Sequence, residues 1–267
     1  MRSVRDLMDL SGRVALVTGG AGNIGRACCH ALAECGADMA VVDINGQQAE
    51  EVANNVAVAH KKKSHAFVVD MGCEENVRTL PDQVVQKLGG LDILINCAAF
   101  VGTSKMSGWG TSFPEQGSEA WRAALEVNLT SCFELVQASL PHLKKSGKGS
   151  IINISSIYGI VGPDWRMYEG TAMGNDAAYA ASKGGLIQFT RWLSTTLAPE
   201  IRANVVSPGG IWRNQPQEFV KRYEERTPMG RMGKEEDMVG AILYLASDLA
   251  GYVTGQNIVV DGGWTAW

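Results

Sequence analysis

Thr18-Gly19-Gly20-Ala21-Gly22-Asn23-Ile24-Gly25 separates the apolar run Val14-Ala15-Leu16-Val17 from a helical stretch, and Asp43 closes the next apolar run. Val14–Val17 reads as a strand buried on both faces. Gly20, Gly22 and Gly25 keep the spacing G-x-G-x-x-G. Glycines at these places let the backbone turn sharply and come close to a pyrophosphate. The helix starting near Asn23 aims its free N–H groups and positive dipole end at that anion. Asp43 lies 21 residues beyond Gly22. A carboxylate there accepts both ribose hydroxyls of an adenosine and repels a 2′-phosphate. The stretch therefore predicts a dinucleotide of the NAD(H) type rather than NADP(H).

The 267 residues carry 24 Lys and Arg against 28 Asp and Glu, a net charge of −4, and 45% are hydrophobic. This suffices for one large α/β domain with a substantial core, so residues 1–267 are read as a single domain. The charge balance and the lack of a long basic run argue against nucleic acid as the main partner. No apolar run reaches membrane-span length, and the first ten residues carry Arg2, Arg5, Asp6 and Asp9 in place of a signal-peptide core. Leu7, Met8 and Leu10 are placed to dock an N-terminal turn on the core. Cys28, Cys29, Cys35, Cys73, Cys97 and Cys132 form no C-x-x-C pair, which fits a reduced, cytoplasmic protein. His30, His60, His65 and His142 show no metal-ligand spacing, and no metal is expected.

Strand and helix patterns alternate along the chain, which predicts a doubly wound parallel sheet of about seven strands with helices on both faces. Strands are expected near 13–18, 38–43, 65–70, 91–95, 149–154, 201–207 and 257–261. Helices are expected near 23–36, 46–60, 74–88, 117–146, 177–198 and 235–248. Three segments exceed structural need and are expected to carry substrate specificity: residues near 100–119, 159–176 and 211–230. Long ordered loops at the carboxyl ends of parallel strands are where such sheets hold ligands.

Tyr179-Ala180-Ala181-Ser182-Lys183 sets a phenol and an ammonium four residues apart, on one face of a helix. An ammonium beside a phenol favours the ionised phenol. A phenol tuned in this way can give a proton to a carbonyl oxygen or take one from an alcohol. Lys183 can also hold a ribose. Ile151-Ile152-Asn153-Ile154-Ser155-Ser156 is a buried strand ending in hydroxyls, either of which can orient a substrate oxygen. Asn96-Cys97-Ala98-Ala99 offers small residues to a nucleotide. Asn128 sits among apolar residues in a helix, where an amide needs a partner. It is either a core amide satisfied by backbone or a water relay to Lys183.

These residues, in this order, resemble the short-chain dehydrogenase/reductase family in its common single-domain branch. The resemblance runs from Ser11 to Trp264 and includes Asp70 and Ser207-Pro208-Gly209-Gly210. It implies a Rossmann-type fold and a nicotinamide cofactor, and it assigns the catalytic roles to Asn128, Ser156, Tyr179 and Lys183. It places Gly19, Asn23, Ile24 and Gly25 at the dinucleotide. Asn96 and Ala98 join them, with Asp43 and Lys183 at the riboses and Tyr179 beside the nicotinamide. Asp70 and Met71 would face the adenine, and Pro208, Gly209 and Ile211 the nicotinamide. Relatives of this size are often tetramers, so a homotetramer is expected. One two-fold interface would use the helices near 117–146 and 177–198, the other the C-terminal strand with Trp264 and Trp267. Three departures stand out. Asn23 replaces a glycine, and Asn tolerates the left-handed region. Asn96-Cys97-Ala98-Ala99 replaces the commoner Asn-Asn-Ala-Gly. Ser156 lies 23 residues before Tyr179, where a shorter spacing is common, and the extra residues are the Asp164–Asp176 loop.

Residues 162–171 and 260–267 are also similar to members associated with bacterial surface-sugar and polysaccharide pathways. Trp165 or Trp212 can stack on a sugar ring, and Arg166 or Arg213 can hold a phosphate or carboxylate. Asp164 and Glu169 can accept sugar hydroxyls, or these charges only anchor the loop. Trp165, Arg166 and Tyr168 are the substrate candidates. The sequence thus points to an NAD(H)-dependent oxidoreductase interconverting a secondary alcohol and a ketone, with a small-molecule substrate, favoured as a sugar or sugar derivative. The alternatives are a 3-oxoacyl-carrier-protein reductase, against which Asp43 counts because such reductases usually use NADPH, and a nucleotide-binding regulatory protein on the same fold.

Overall fold

The computed structural model describes residues 1–101 and 106–267. Residues 102–105 of the anticipated loop near 100–119 lie outside the described residues. Among the described residues, seven parallel strands form one sheet in the order β3-β2-β1-β4-β5-β6-β7. They are β1 (Val14–Thr18), β2 (Asp38–Asp43), β3 (Ser64–Val68), β4 (Ile93–Asn96), β5 (Gly149–Ile154), β6 (Ile201–Pro208) and β7 (Asn257–Val260). The chain order reverses between β1 and β4, and in such sheets the crevice beyond the carboxyl ends at that point binds ligands.

Both faces of the sheet are covered, which is why its inner strands are apolar without alternation. Ala15 and Val17 of β1 pack with Cys28, Cys29 and Leu32 of α2 (Asn23–Glu34) and with Met238, Ile242 and Leu245 of α9 (Glu236–Ala246). Val14 and Leu16 face the other way, toward Leu80 and Val84 of α4 (Glu74–Leu88), Leu135 of α6 (Ser131–Ser146) and Leu193 of α7 (Ala177–Leu197). α3 (Gly46–His60) adds Val52 and Val56 to the first face. A short α1 (Val4–Met8) precedes Leu10, which is fully buried. Among the described residues, no helix is long and apolar enough to cross a membrane.

Three elements differ from expectation. The helix expected over 117–146 is divided into α5 (Ser118–Leu125), a π-turn at Glu126–Thr130 and α6. The Ser131 N–H reaches back five residues to the Glu126 carbonyl, so the helix holds one residue more than an α-turn would. The cause is tertiary: Asn128, wholly buried, is held on the segment after β4. β4 starts at Ile93, two residues later than expected, just after Asp92, whose carboxylate accepts the Val14 N–H at 2.7 Å. Within residues 211–230, read as a loop, lies the helix α8 (Gln217–Arg226), which buries Phe219 and Tyr223.

The buried Thr18 hydroxyl ties the ends of β1 and β4 together. It accepts the Cys97 and Ala98 N–H groups at 3.0 and 3.1 Å. Thr18→Val keeps the shape and removes the acceptor. It is expected to lower unfolding free energy by about 1–3 kcal/mol, read from the urea midpoint at constant m-value. An unchanged midpoint would mean that solvent replaces the hydroxyl.

Candidate active site

Where β1 and β4 part, a cavity of about 1020 Å³ opens at the carboxyl ends of the strands. One half is built by the glycine loop. Gly19 takes φ +62°, and a Cβ on it would lie 2.9 Å from the Ala98 backbone. A Cβ on Gly25 would lie 2.1 Å from the Gly19 carbonyl oxygen. Gly22 caps α2 without a side-chain hydrogen bond, so the first N–H groups of that helix have no side-chain acceptor. Gly19, Asn23, Ile24 and Gly25 all line the cavity.

Asp43 stands at the end of β2, in the same wall. Its carboxylate accepts the Ala21 N–H at 3.1 Å through one oxygen and the Asn45 N–H at 3.0 Å through the other. Two backbone donors thus fix its orientation, and each oxygen keeps a lone pair. Asp70 accepts the Gly72 N–H at 2.8 Å, and Asp70, Met71 and Ala98 border the cavity nearby. Pro208, Gly209 and Ile211 border it from the end of β6.

The other half gathers the polar residues of β5 and α7. The Lys183 side chain is buried and its ammonium donates to the Ile154 carbonyl at 2.9 Å. The same ammonium sits 5.8 Å from the centre of the Tyr179 ring. The Ser155 hydroxyl donates to the Lys183 carbonyl at 2.8 Å, so it is committed to joining β5 to α7. The Ser156 oxygen accepts the Tyr158 N–H at 3.2 Å, which leaves its proton free to donate. Ser156, Tyr179 and Lys183 line the cavity.

Asn128 and Asn96 lie behind that wall. The Asn128 carbonyl oxygen accepts the Phe100 N–H at 2.6 Å, and its amide donates to Phe100 O at 3.4 Å and Ser182 Oγ at 3.1 Å. Backbone and a neighbouring hydroxyl thus satisfy it, and it braces Phe100, which does border the cavity. Asn96 donates to Asn153 at 2.7 Å, and Asn153 donates to Thr190 at 2.8 Å. This buried chain links β4, β5 and α7. Asn96 does not border the cavity, because its side chain turns along the sheet toward Asn153.

Part of the cavity wall is aromatic. Tyr158, Tyr168, Phe219, Tyr223 and Met232 border it. Tyr223 also accepts the Gly210 N–H through its hydroxyl, at 2.5 Å, so α8 holds the turn after β6. Phe219, Tyr223 and Met232 escaped the sequence reading. The signal for the first two was their i, i+4 spacing just after Pro216, in an otherwise charged segment. Of the three substrate candidates only Tyr168 borders the cavity. Trp165 is largely exposed and Arg166 stays in solvent, because the Asp164 carboxylate binds Arg166 at 2.8 and 2.6 Å. Asp164 is in turn 3.5 Å from Arg226, and these arginines hold its carboxyl below the usual range. Trp264 is also not the exposed residue expected for a subunit contact. It is buried against Tyr223 and under the Arg226 guanidinium, 4.5 Å from the ring centre.

A family model described as Enoyl-(Acyl carrier protein) reductase matches residues 19–265. A solved short-chain type dehydrogenase/reductase from Mycobacterium marinum superposes with a TM-score of 0.86 over 100% of both chains, at 32% identity. The chain belongs to the short-chain dehydrogenase/reductase family. It is therefore an oxidoreductase of the alcohol–ketone type, in a family that binds nicotinamide cofactors. The 3-oxoacyl-acyl-carrier-protein reductase FabG of Aquifex aeolicus is 33% identical over 259 residues, 95% of this chain and 98% of that one. The probable galactose dehydrogenase GalD of Rhizobium meliloti is 34% identical over 262 residues, 96% of each. Relatives at one level of identity thus act on unlike substrates, and selectivity within the family must be argued from the aromatic end of the cavity.

Proposed function

We propose that this dehydrogenase/reductase uses NAD(H) to interconvert a secondary alcohol and a ketone, on a sugar or sugar derivative. The observation that carries the reading is that Ser156, Tyr179 and Lys183 line one continuous cavity with the glycine loop and Asp43. The loop fits a dinucleotide: a Cβ on Gly25 would fill the cradle, and the first N–H groups of α2 have no side-chain acceptor. Gly19, Asn23, Ile24 and Gly25 would hold the pyrophosphate, Asp43 the adenosine ribose, and Lys183 the second ribose. When bound, the nicotinamide supplies or accepts the hydride.

The residues of the chain supply the rest. The Ser156 hydroxyl donates to the substrate oxygen and orients it. In reduction Tyr179 gives its phenolic proton to that oxygen, and in oxidation it takes the proton back. The Lys183 ammonium, one turn along α7, stands 5.8 Å from the centre of the Tyr179 ring and brings positive charge to the reacting end of the cavity. Asn128 acts at one remove, by fixing Phe100 and Ser182. The six cysteines are free thiols, which supports a reducing, cytoplasmic setting. Phe133 and Trp192 are exposed on α6 and α7, with Phe189 6.1 Å from Phe133. This apolar stripe supports a two-fold contact between copies within a homotetramer.

NAD+ is expected to bind at least about tenfold tighter than NADP+, because a 2′-phosphate would face the Asp43 carboxylate. Titration of tryptophan fluorescence with both cofactors measures this, and Asp43→Ala is expected to narrow the gap. Equal affinities would remove Asp43 from the ribose. The same preparation, offered sugars, polyols and an acyl thioester with either cofactor, is followed by reduced-nicotinamide absorbance. Turnover of the thioester with NADPH alone would favour the 3-oxoacyl reading instead.

A further inference from the structure

A second, smaller pocket of about 180 Å³ opens where the loop before α5 meets the first turn of α7. It shares no lining residue with the larger cavity. Two hydrogen bonds hold that loop on the helix. Asp176 accepts the Gly110 N–H at 2.9 Å, and Gln116 accepts the Ala177 N–H at 3.1 Å. Gly108, at φ +76°, lets the loop close on itself, since a Cβ there would stand 2.4 Å from the Gly117 nitrogen. The pocket therefore has a fixed frame.

Its walls include Trp109, Phe113 and Trp121, together with Asp176. Trp109 is buried, but Trp121 and Phe113 are 40% and 75% exposed. Large apolar side chains left in solvent around one hollow mark a place where something binds. Asp176 is only 7% exposed. It occupies the N-cap position of α7, yet its side chain does not cap the helix. One carboxylate oxygen takes the Gly110 N–H. Among the described residues nothing donates to the other, and no Lys, Arg or His forms an ion pair with it. Burial raises its carboxyl above its ordinary value. A buried charge without a counter-charge is costly, and a cation beside it would remove that cost.

The other polar groups narrow the choice of ligand. Gln116 is already committed, its oxygen to Ala177 and its amide nitrogen to the Thr111 carbonyl at 3.3 Å. The Asp176 oxygen and the exposed Ser118 hydroxyl remain. These are too few to replace the water around a polyol, and an anion would meet a carboxylate. A cation with apolar substituents suits every wall, because aromatic rings attract cations and the carboxylate neutralises them.

We propose that this pocket binds a small organic cation, a methylated ammonium group, with Asp176 as its counter-charge and Trp109, Phe113 and Trp121 as its cage. The pocket lies outside the cavity that holds Tyr179, so this cation is not the reacting substrate. The proposal is independent of the roles assigned to Ser156, Tyr179 and Lys183.

Choline chloride and its uncharged isostere 3,3-dimethylbutan-1-ol are titrated into the NADH-loaded enzyme at constant ionic strength, by saturation-transfer NMR. Glucose is titrated in parallel. Choline is expected to bind at least about tenfold tighter than the alcohol. Asp176→Asn keeps an acceptor for Gly110 and removes the charge. It is expected to bring that ratio near one while the melting temperature holds. Trp121→Ala, at an exposed position where the fold is not at stake, is expected to weaken choline binding about threefold. Equal binding of choline and the alcohol, a ratio that survives both replacements, or tighter binding of glucose than of choline would overturn the proposal. Absence of saturable choline binding would overturn it too. If Asp176→Asn then also loosened the assembly in light scattering, the carboxylate would belong to a side chain of a second copy instead.

Discussion

Tyr179→Phe is expected to lower kcat/KM by roughly 10²–10⁴, the usual contribution of a general acid or base, while leaving cofactor affinity nearly unchanged. The change removes one oxygen and keeps the ring. That ring packs with Trp109, Ala120, Ala124 and Ala178, so the melting temperature is also expected to hold. The Tyr179 backbone carbonyl stays bonded to Ser182, which is bonded to Asn128, so the start of α7 is not released. Lys183→Ala, by contrast, removes a buried ammonium that lines the cavity beside Tyr179, and it is expected to damage turnover and cofactor binding together. A near-normal rate for Tyr179→Phe on a true substrate would move the proton transfer elsewhere, with Tyr158 and Tyr168, which also line the cavity, the next phenols to replace.

Gly25→Ala is expected to reduce cofactor affinity by at least about a hundredfold, or 2.7 kcal/mol, and to lower the melting temperature. The new Cβ would stand 2.1 Å from the Gly19 oxygen, 2.8 Å from its carbonyl carbon and 2.9 Å from Gly20 Cα. All three are backbone atoms, so no side chain can swing away. Relief requires the loop to move, and the loop is tied by Gly22 N–H to Gly19 O at 3.0 Å and by Gly20 N–H to Val42 O at 2.9 Å. Gly240→Ala in α9 is the control, since nothing lies within 4 Å of its Cβ position. There, the better helix propensity of Ala is expected to add roughly 0.5–1 kcal/mol of stability. Wild-type cofactor binding by Gly25→Ala would show that the helix start can shift without cost, and the cradle argument would fail.

Much of the fold was legible because its signals are local. The β1–glycine loop–α2–β2–Asp43 unit can be read from one stretch, since strand burial, turn glycines and helix start all act within a few residues. The i, i+4 spacing of Tyr179 and Lys183 is equally local, and the cavity holds both. What was not legible depends on partners far along the chain. Asn128 was visible as an amide in want of a partner, but only the folded chain supplies Phe100, and with it the π-turn. Arg166 read as a free cation for a substrate, yet Asp164, two residues away, captures it, and Arg226, 62 residues on from Asp164, completes the cluster. α8 was hidden because its charged residues mask the short apolar spacing of Phe219 and Tyr223, whose burial needs Trp264 and the inserted loop.

The π-turn has a consequence for the gene. An α-helix advances about 100° per residue, and the π-turn already takes up one extra residue, so a further codon inserted between Glu126 and Thr130 would turn α5 by about that angle against α6. Ala120 and Ala124, which pack near Tyr179, would rotate out of their contacts, and Asn128 would lose Phe100. The inserted loop behaves differently. Gly162, Gly170 and Gly174 have open space around them, so codons can be gained or lost there without pressing on the sheet. Insertions are thus barred on one side of the helix that carries Tyr179 and tolerated on the other. On this frame the length of the loop is free to vary, while the number of residues between α5 and Asn128 is not.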